Sequence, residues 1–193
     1  MEKELSDLLN KCRDSLIDAS QNPDHNWKLF TMASITKNNL PNCRYVVLRD
    51  TCFDGKAELT FFTDQRSQKV DELIEFPHAS LCFFDRSAGL QLTINCNVSL
   101  HNDDDVSQYF WEKTSRRSLQ CYYMREKPGE TLTAPFMLNT KELTEEQAYS
   151  YFTVVKCSMK SWDILQLNSE GNQRAFCDFS ESGEIENSRW AAP

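Results

Sequence analysis

Glycine is scarce. Five glycines, at 55, 89, 129, 171 and 183, stand too far apart for a G-x-G-x-x-G turn or a P-loop, so a nucleotide held in a glycine-rich cradle is excluded. No G-x-S-x-G elbow is present either, which removes the common serine-hydrolase arrangement. The three histidines, His25, His78 and His101, are scattered, and none of the eight cysteines forms a C-x-x-C pair. That spacing does not suit zinc, and the thiols are expected to be reduced. No apolar run has the length of a membrane-spanning helix. The first residues, MEKELSDLLNKCRDSLIDA, are charged and amphipathic rather than signal-like, which gives the expectation of a cytoplasmic protein. Positive charge is also in deficit. The formal net charge of −8 argues against nucleic acid or an anionic membrane as partner.

What is present suits a single domain over residues 1–193. Leu5, Leu8, Leu9, Cys12, Leu16 and Ile17 repeat at helical spacing, giving an amphipathic helix within 1–22 that ends before Pro23. Residues 27–100 read as the main strands, at 27–36, 43–49, 57–63, 79–84 and 90–100. The pair Asp54-Gly55 marks a hairpin, and Val70, Leu73 and Ile74 form the apolar stripe of a short helix. Residues 102–152 form a helical segment, opened by aspartates 103 to 105 and closed by a helix with a Thr144/Gln147 capping box. Strands return over 153–193, near 153–158, 162–168 and 173–179. Strands and helices do not alternate, so the class is α+β with an antiparallel sheet that can close as a barrel.

One segment points to chemistry. Thr63-Asp-Gln-Arg-Ser-Gln-Lys69 ends a strand and opens a helix, and Arg66 and Lys69 place positive charge where the helix dipole prefers negative. That placement makes sense if an anion docks on the helix start, with Ser67 beside it and Arg44 reaching over from the preceding strand. The plainer alternative is a solvated surface in which Arg66 and Lys69 pair with Asp71 or Glu72.

At this point a family resemblance enters. Arg44-Tyr-Val-Val-Leu-Arg49, Phe61-Phe-Thr-Asp64, Arg66-Ser67 with Lys69 and Glu72-Leu73, Pro77-His-Ala-Ser-Leu-Cys-Phe83 and Gln91-Leu-Thr-Ile94 occur in an order that resembles the FMN-binding split barrels of the pyridoxamine 5′-phosphate oxidase type. The ending Arg189-Trp-Ala-Ala-Pro193 resembles the family's basic, proline-terminated tail. The resemblance implies an antiparallel split β-barrel with peripheral helices, and a homodimer with FMN at its interface. Arg44 and Lys69, with Arg66 and Ser67 beside them, are then the FMN phosphate ligands. The backbone of Tyr45, Val46, Val47 and Leu48 runs along the flavin ring, Phe62 and Thr63 flank it, Gln91 contacts it from within the barrel, and Arg174 is a late contact.

Departures from the family pattern bear on the reaction. Where the true oxidase carries an Arg-x-His pair before the late arginine, this chain has Glu170 and Asn172. Tyr109 matches a substrate-side tyrosine, Lys113 replaces an arginine, and Ser118 fits a substrate-side serine only with a one-residue insertion. Leu165 stands where an aromatic packs on the flavin, with Trp162 three residues earlier. Arg49, Tyr109 and Lys113 are the candidates for lining the substrate side. The expectation is an FMN-dependent oxidoreductase acting on an unidentified small molecule. A non-catalytic flavin-binding or sensing protein and a true pyridoxamine 5′-phosphate oxidase are the alternatives.

Overall fold

A computed structural model describes residues 2–133 and 143–193. Helix α1 (Glu2–Gln21) buries Leu5, Leu8, Leu9, Cys12 and Leu16, as the helical spacing requires. The strands are β1 (Leu29–Ile35), β2 (Pro41–Val47), β3 (Asp50–Cys52), β4 (Glu58–Asp64), β5 (His78–Asp85), β6 (Leu90–His101), β7 (Phe152–Gln166), β8 (Gln173–Phe179) and β9 (Ile185–Ala191). Helix α2 (Gln68–Glu75) follows β4. Helices α3 (Asp105–Lys113), α4 (Arg116–Leu119) and α5 (Glu145–Tyr151) lie between β6 and β7. Residues 134–142 of the expected helical segment lie outside the described residues.

The sheet runs β2-β1-β5-β6-β7-β4-β3, with β8 and β9 continuing from β7, and every pairing is antiparallel. The chain from 41 to 52 closes it. Its first half pairs with β1, then Arg49 N–H donates to the Thr60 carbonyl at 2.9 Å and Asp50 to Cys52 pair with β4. One extended stretch thus bonds to strands from opposite ends of the sheet, which makes the sheet a split barrel. The hairpin at Asp54-Gly55 is present, but it joins the short β3 to β4; the longer β2 turns back on β1. Residues 153–158 and 162–168, which read as two strands, belong to one 15-residue strand, with a register shift opposite Asn95/Cys96.

The barrel core packs Trp27, Phe30, Phe61 and Phe83 together, with Phe30 stacked on Phe83 at 4.5 Å between centroids. A second cluster of Trp111, Leu119, Tyr122, Ala148, Phe152 and Val154 seats α3 and α5 on the sheet. Phe62 bridges towards it, 5.4 Å from Phe110 and 4.9 Å from Phe152, which sets α3 beside β4. Both capping residues behave as the sequence suggests. Asp104 caps α3 with Ser107, and Thr144 caps α5 with Gln147.

Helix α2 departs from expectation. Val70 and Leu73 are buried, but Ile74 is 64% exposed and Glu72 only 2% exposed. The helix is rotated so that a carboxylate, not Ile74, faces the barrel. The cause is on the facing strands, where Arg44, Ser34 and Asn42 all bond to Glu72.

Candidate functional site

Two groups of side chains form the site. The first is a corner where β1, β2 and β4 meet α2. Alternation on β2 turns Asn42, Arg44, Val46 and Leu48 to the inner face of the sheet, because Val46 and Leu48 enter the core. Arg44 donates through Nη1 to Ser34 Oγ and through Nη2 to Glu72 Oε2 at 2.9 Å. Ser34 Oγ donates to the same carboxylate oxygen, and Asn42 Nδ2 donates to Glu72 Oε1 at 2.8 Å. Burial pushes the Glu72 carboxyl up, but the bonds from Ser34, Asn42 and Arg44 and the Arg44 charge outweigh it and hold it below the ordinary value.

Lys69 stands beside this network on the first turn of α2. Its Nζ donates to Thr63 Oγ1 at 3.0 Å, and that oxygen also lies 3.1 Å from Ser67 Oγ. Ser67 occupies the N-cap position of α2, yet its side chain makes no capping bond. Burial, then the charge of Arg44, pushes the Lys69 ammonium below its ordinary value. Two cations therefore share a partly buried corner with two hydroxyls and a helix start, a donor set suited to a phosphate.

Arg66 is engaged elsewhere. Its Nε and Nη2 grip Asp64, Nη1 and Nη2 reach the carbonyls of Arg125 and Met124, and its guanidinium carbon lies 3.7 Å from the Tyr151 ring centroid. Four of its five N–H groups are thus committed to holding the 120s segment and α5 against β4. Neither Asp71 nor Glu72 is the partner of Arg66 or Lys69; Arg66 pairs with Asp64 and Glu72 with Arg44.

The second group surrounds a cleft of about 400 Å³ between β1, β4 and α3, where Lys28, Arg49, Phe62, Tyr109, Lys113 and Ser118 meet. Lys113 Nζ donates to the Tyr109 hydroxyl at 2.5 Å and lies 4.0 Å from that ring's centroid. Lys28 Nζ donates to the Ser20 carbonyl in the last turn of α1. Burial and the nearby Arg49 charge push the Lys28 ammonium down. The Nε of Arg49 is buried and has no hydrogen-bond partner among the described residues. Three cations face a single carboxylate, Asp50, in a chain whose net charge is −8. That concentration of positive potential draws small anions.

The sequence matches what this geometry suggests. A sequence model of the family described as pyridoxamine 5′-phosphate oxidase matches residues 25–152. The chain belongs to the pyridoxamine 5′-phosphate oxidase family. A pyridoxine/pyridoxamine 5′-phosphate oxidase of Sinorhizobium fredii (strain NBRC 101917 / NGR234) is 25% identical over 158 residues, covering 76% of this chain and 74% of its own. One from Agrobacterium fabrum is 24% identical over the same shares. In fold, the chain is similar to a pyridoxamine 5′-phosphate oxidase-related, FMN-binding protein of Nostoc punctiforme, with TM-score 0.74, 19% identity and coverage of 95% and 96%. It is also similar to PhzG of Burkholderia lata, solved with tetrahydrophenazine-1-carboxylic acid, with TM-score 0.70, 15% identity and coverage of 96% and 92%.

Within the pyridoxamine 5′-phosphate oxidase family fold, the remaining candidates sit on the outer face. Gln91 does not point into the barrel. Its neighbours Leu90 and Leu92 take the core, and Gln91 faces outward in register with Phe84 and Leu165. Leu165 is in turn paired with Arg174, so Phe84, Gln91, Leu165 and Arg174 form one transverse row. Arg174 is held by Asp163 in a two-pronged pair at 2.9 and 2.7 Å. Tyr45, 76% exposed, shares that outer face with Leu29, while Val46 and Leu48 are core residues. Trp162 packs inside with Phe53 and Phe179, so it does not replace the aromatic missing at Leu165. Glu170 and Asn172 lie in the exposed turn before β8 and do not line the cleft.

Sequence reading missed Lys28, Ser34 and Asn42, and it named Glu72 only in the family motif and as a possible partner of Arg66 or Lys69. Lys28 follows no spacing rule, and Asn42 shares its face of β2 with Arg44. Ser34 and Glu72 are polar residues at buried positions, which only the pairing of β1, β2 and α2 reveals. Among the described residues no helix is long and apolar enough to cross a membrane.

Proposed function

We propose that this chain binds FMN, with its phosphate in the corner of Arg44, Thr63, Ser67 and Lys69, and that it is an FMN-dependent oxidoreductase acting on a small anionic molecule. The observation that carries the reading is the convergence of Lys28, Arg49 and Lys113 on one cleft beside Phe62, with the buried Arg49 Nε left unpartnered. An unpaired buried N–H costs about 1–3 kcal/mol, a cost that a bound anion relieves.

The corner fits the flavin nucleotide by its donor set. β2 is an edge strand whose only sheet neighbour among the described residues is β1, so its second edge is open for a planar ring along Tyr45 to Leu48. When bound, FMN supplies the redox chemistry, and the protein positions and tunes it. Arg49 and Lys113 hold the anionic end of the substrate, Tyr109 and Ser118 offer hydroxyls, and Phe62 forms an apolar wall. Leu29, Tyr45 and Phe84 are exposed on the outer face that also carries Gln91 and Arg174, which suits a homodimer in which those two residues reach the flavin of the partner copy.

The visible spectrum of purified protein, with mass analysis of released ligand, tests the cofactor. Anaerobic reduction by NADH or NADPH, followed by reoxidation assays, tests turnover, and colourless protein that gains no flavin on incubation with FMN removes the reading. A second reading, oxidation of pyridoxamine 5′-phosphate itself, is favoured by the arrival of Arg49, Tyr109, Lys113 and Ser118 in one cleft. Steady formation of pyridoxal 5′-phosphate selects it. Sedimentation of the flavin-loaded protein as a monomer removes the dimer.

A further inference from the structure

The Glu72 carboxylate is 2% exposed, lies on the helix that carries Lys69, and touches the other cation of the corner. We infer that Glu72 is the positioning residue of the phosphate corner: it fixes the Arg44 guanidinium so that its unspent N–H groups face the ligand. The inference rests on the assignment of that corner to the FMN phosphate.

The geometry is a closed triangle. Arg44 Nη1 bonds to Ser34 Oγ, Arg44 Nη2 bonds to Glu72 Oε2, and Ser34 Oγ bonds to the same oxygen. Asn42 anchors the other carboxylate oxygen from the same strand as Arg44. Two of the five guanidinium N–H groups are spent on this support, and the remaining three have no partner among the described residues. An arginine side chain has several rotatable bonds, and ordering it only on ligand binding weakens binding. Glu72 orders it beforehand.

Glu72 never touches the ligand in this arrangement, so its effect passes through Arg44 and through geometry rather than charge. Gln preserves that geometry. Its single oxygen can stand where Oε2 accepts from Arg44 and Ser34, while its NH₂ faces Asn42, whose amide turns over to accept. Ala removes the support altogether.

The test compares FMN and riboflavin affinities, by flavin fluorescence quenching, in full-length wild type, Glu72→Gln and Glu72→Ala. The expected result is a strong FMN preference in wild type, retained within about threefold in Glu72→Gln, and reduced about tenfold or more in Glu72→Ala, the loss of roughly one charge-assisted bond. Equal weakening of both ligands in Glu72→Ala shows a merely structural role and overturns the inference. A rise in FMN affinity in both variants shows that Glu72 competes with the phosphate for Arg44, and overturns it as well. Should Glu72→Ala fail to fold, Ser34→Ala removes one side of the triangle and leaves the ion pair. It is expected to lower the FMN preference severalfold, and an unchanged preference counts against the inference. A wild type without any FMN preference removes the cofactor reading, and this inference with it. A wild-type preference that survives in Glu72→Ala removes this inference alone.

Discussion

Arg49 lies with its guanidinium carbon 5.4 Å from the Phe62 ring centroid, and its buried Nε meets no acceptor among the described residues. Replacement by Met keeps the packing volume and removes the donor. Sulfate affinity, read from perturbation of the flavin spectrum, is expected to fall at least about tenfold, equivalent to about 1.4 kcal/mol. Melting of the flavin-free protein is expected to stay constant or rise by about 1 kcal/mol of stability, because an unsatisfied donor has gone at the cost of a weak cation–π contact. A large loss of stability with unchanged sulfate affinity points to a structural arginine.

Lys69 and Arg44 contribute to the corner in different ways. Lys69→Ala is expected to weaken FMN about tenfold or more and riboflavin hardly at all, because among the described residues its Nζ bonds only to Thr63 Oγ1. Arg44→Ala is expected to show the same selectivity together with a stability loss of about 3–5 kcal/mol, since it leaves the buried Glu72 carboxylate unpaired. Isothermal titration with both ligands and thermal melts separate the two effects.

The lowered proton affinity of Lys69 gives a pH dependence with a defined sign. Burial and Arg44 push its ammonium below the ordinary lysine value, so its charge is lost, as pH rises, earlier than that of an ordinary lysine. FMN affinity is expected to decline as pH rises through this transition, which lies below the ordinary lysine value. Riboflavin affinity should not follow. Lys69→Arg stays charged over the whole range and is expected to abolish the decline. A parallel decline in Lys69→Arg assigns the transition to another group.

Four of the eight cysteines, Cys12, Cys96, Cys157 and Cys177, are buried. Burial pushes the Cys12 and Cys177 thiols up to about 12, and a bond from Cys96 together with burial raises Cys157. Since the thiolate is the reactive form, a chromogenic disulfide reagent at pH 8 is expected to leave these four unmodified until the protein is unfolded. Rapid modification of Cys12 in native protein, located by peptide mass analysis, means that α1 lifts from the barrel.

Gly183, in the turn between β8 and β9, has φ +77°, and a Cβ there collides with the Ala57 nitrogen and the Lys56 carbonyl carbon. Both obstacles are backbone. Gly183→Ala is expected to destabilise the fold by at least about 2 kcal/mol, measured by chemical denaturation. Gly183 lines neither the Arg49 cleft nor the Arg44 corner, so FMN affinity of the folded fraction is expected to be unchanged.

Much of this was legible in the chain. The alternation of Leu92, Ile94 and Cys96 marks the inner face of β6, and these residues are buried. The Thr144/Gln147 box caps α5 because its bonds span only three residues. Arg44, Arg66, Ser67 and Lys69 could be grouped because a basic helix start is a local anomaly, but the fold engages Arg66 with Asp64 and bonds Lys69 to Thr63. Arg49, Tyr109 and Lys113 were paired through family resemblance, and the fold brings them to one cleft. Ser118 reaches it too, since α3 and the short α4 turn the chain back towards Phe62. Ile74 failed as a core residue because the facing strand set the rotation of its helix: Glu72 of α2 pairs with Arg44 of β2, and that buried ion pair outranked one apolar side chain.

From the sequence alone came the antiparallel α+β class, the helix starts, the strand faces and the absence of a glycine-built nucleotide cradle. These follow from periodicity, caps and turns, all of which act over a few residues. Only the tertiary structure decided that Arg66 is spent on Asp64 while Arg44 is held by Glu72, that Gln91 faces outward, and that Lys28 joins Arg49 and Lys113. The physical reason is that a charge takes its role from whatever lies within a few ångströms of it, and in a closed barrel those neighbours come from strands far apart in the chain.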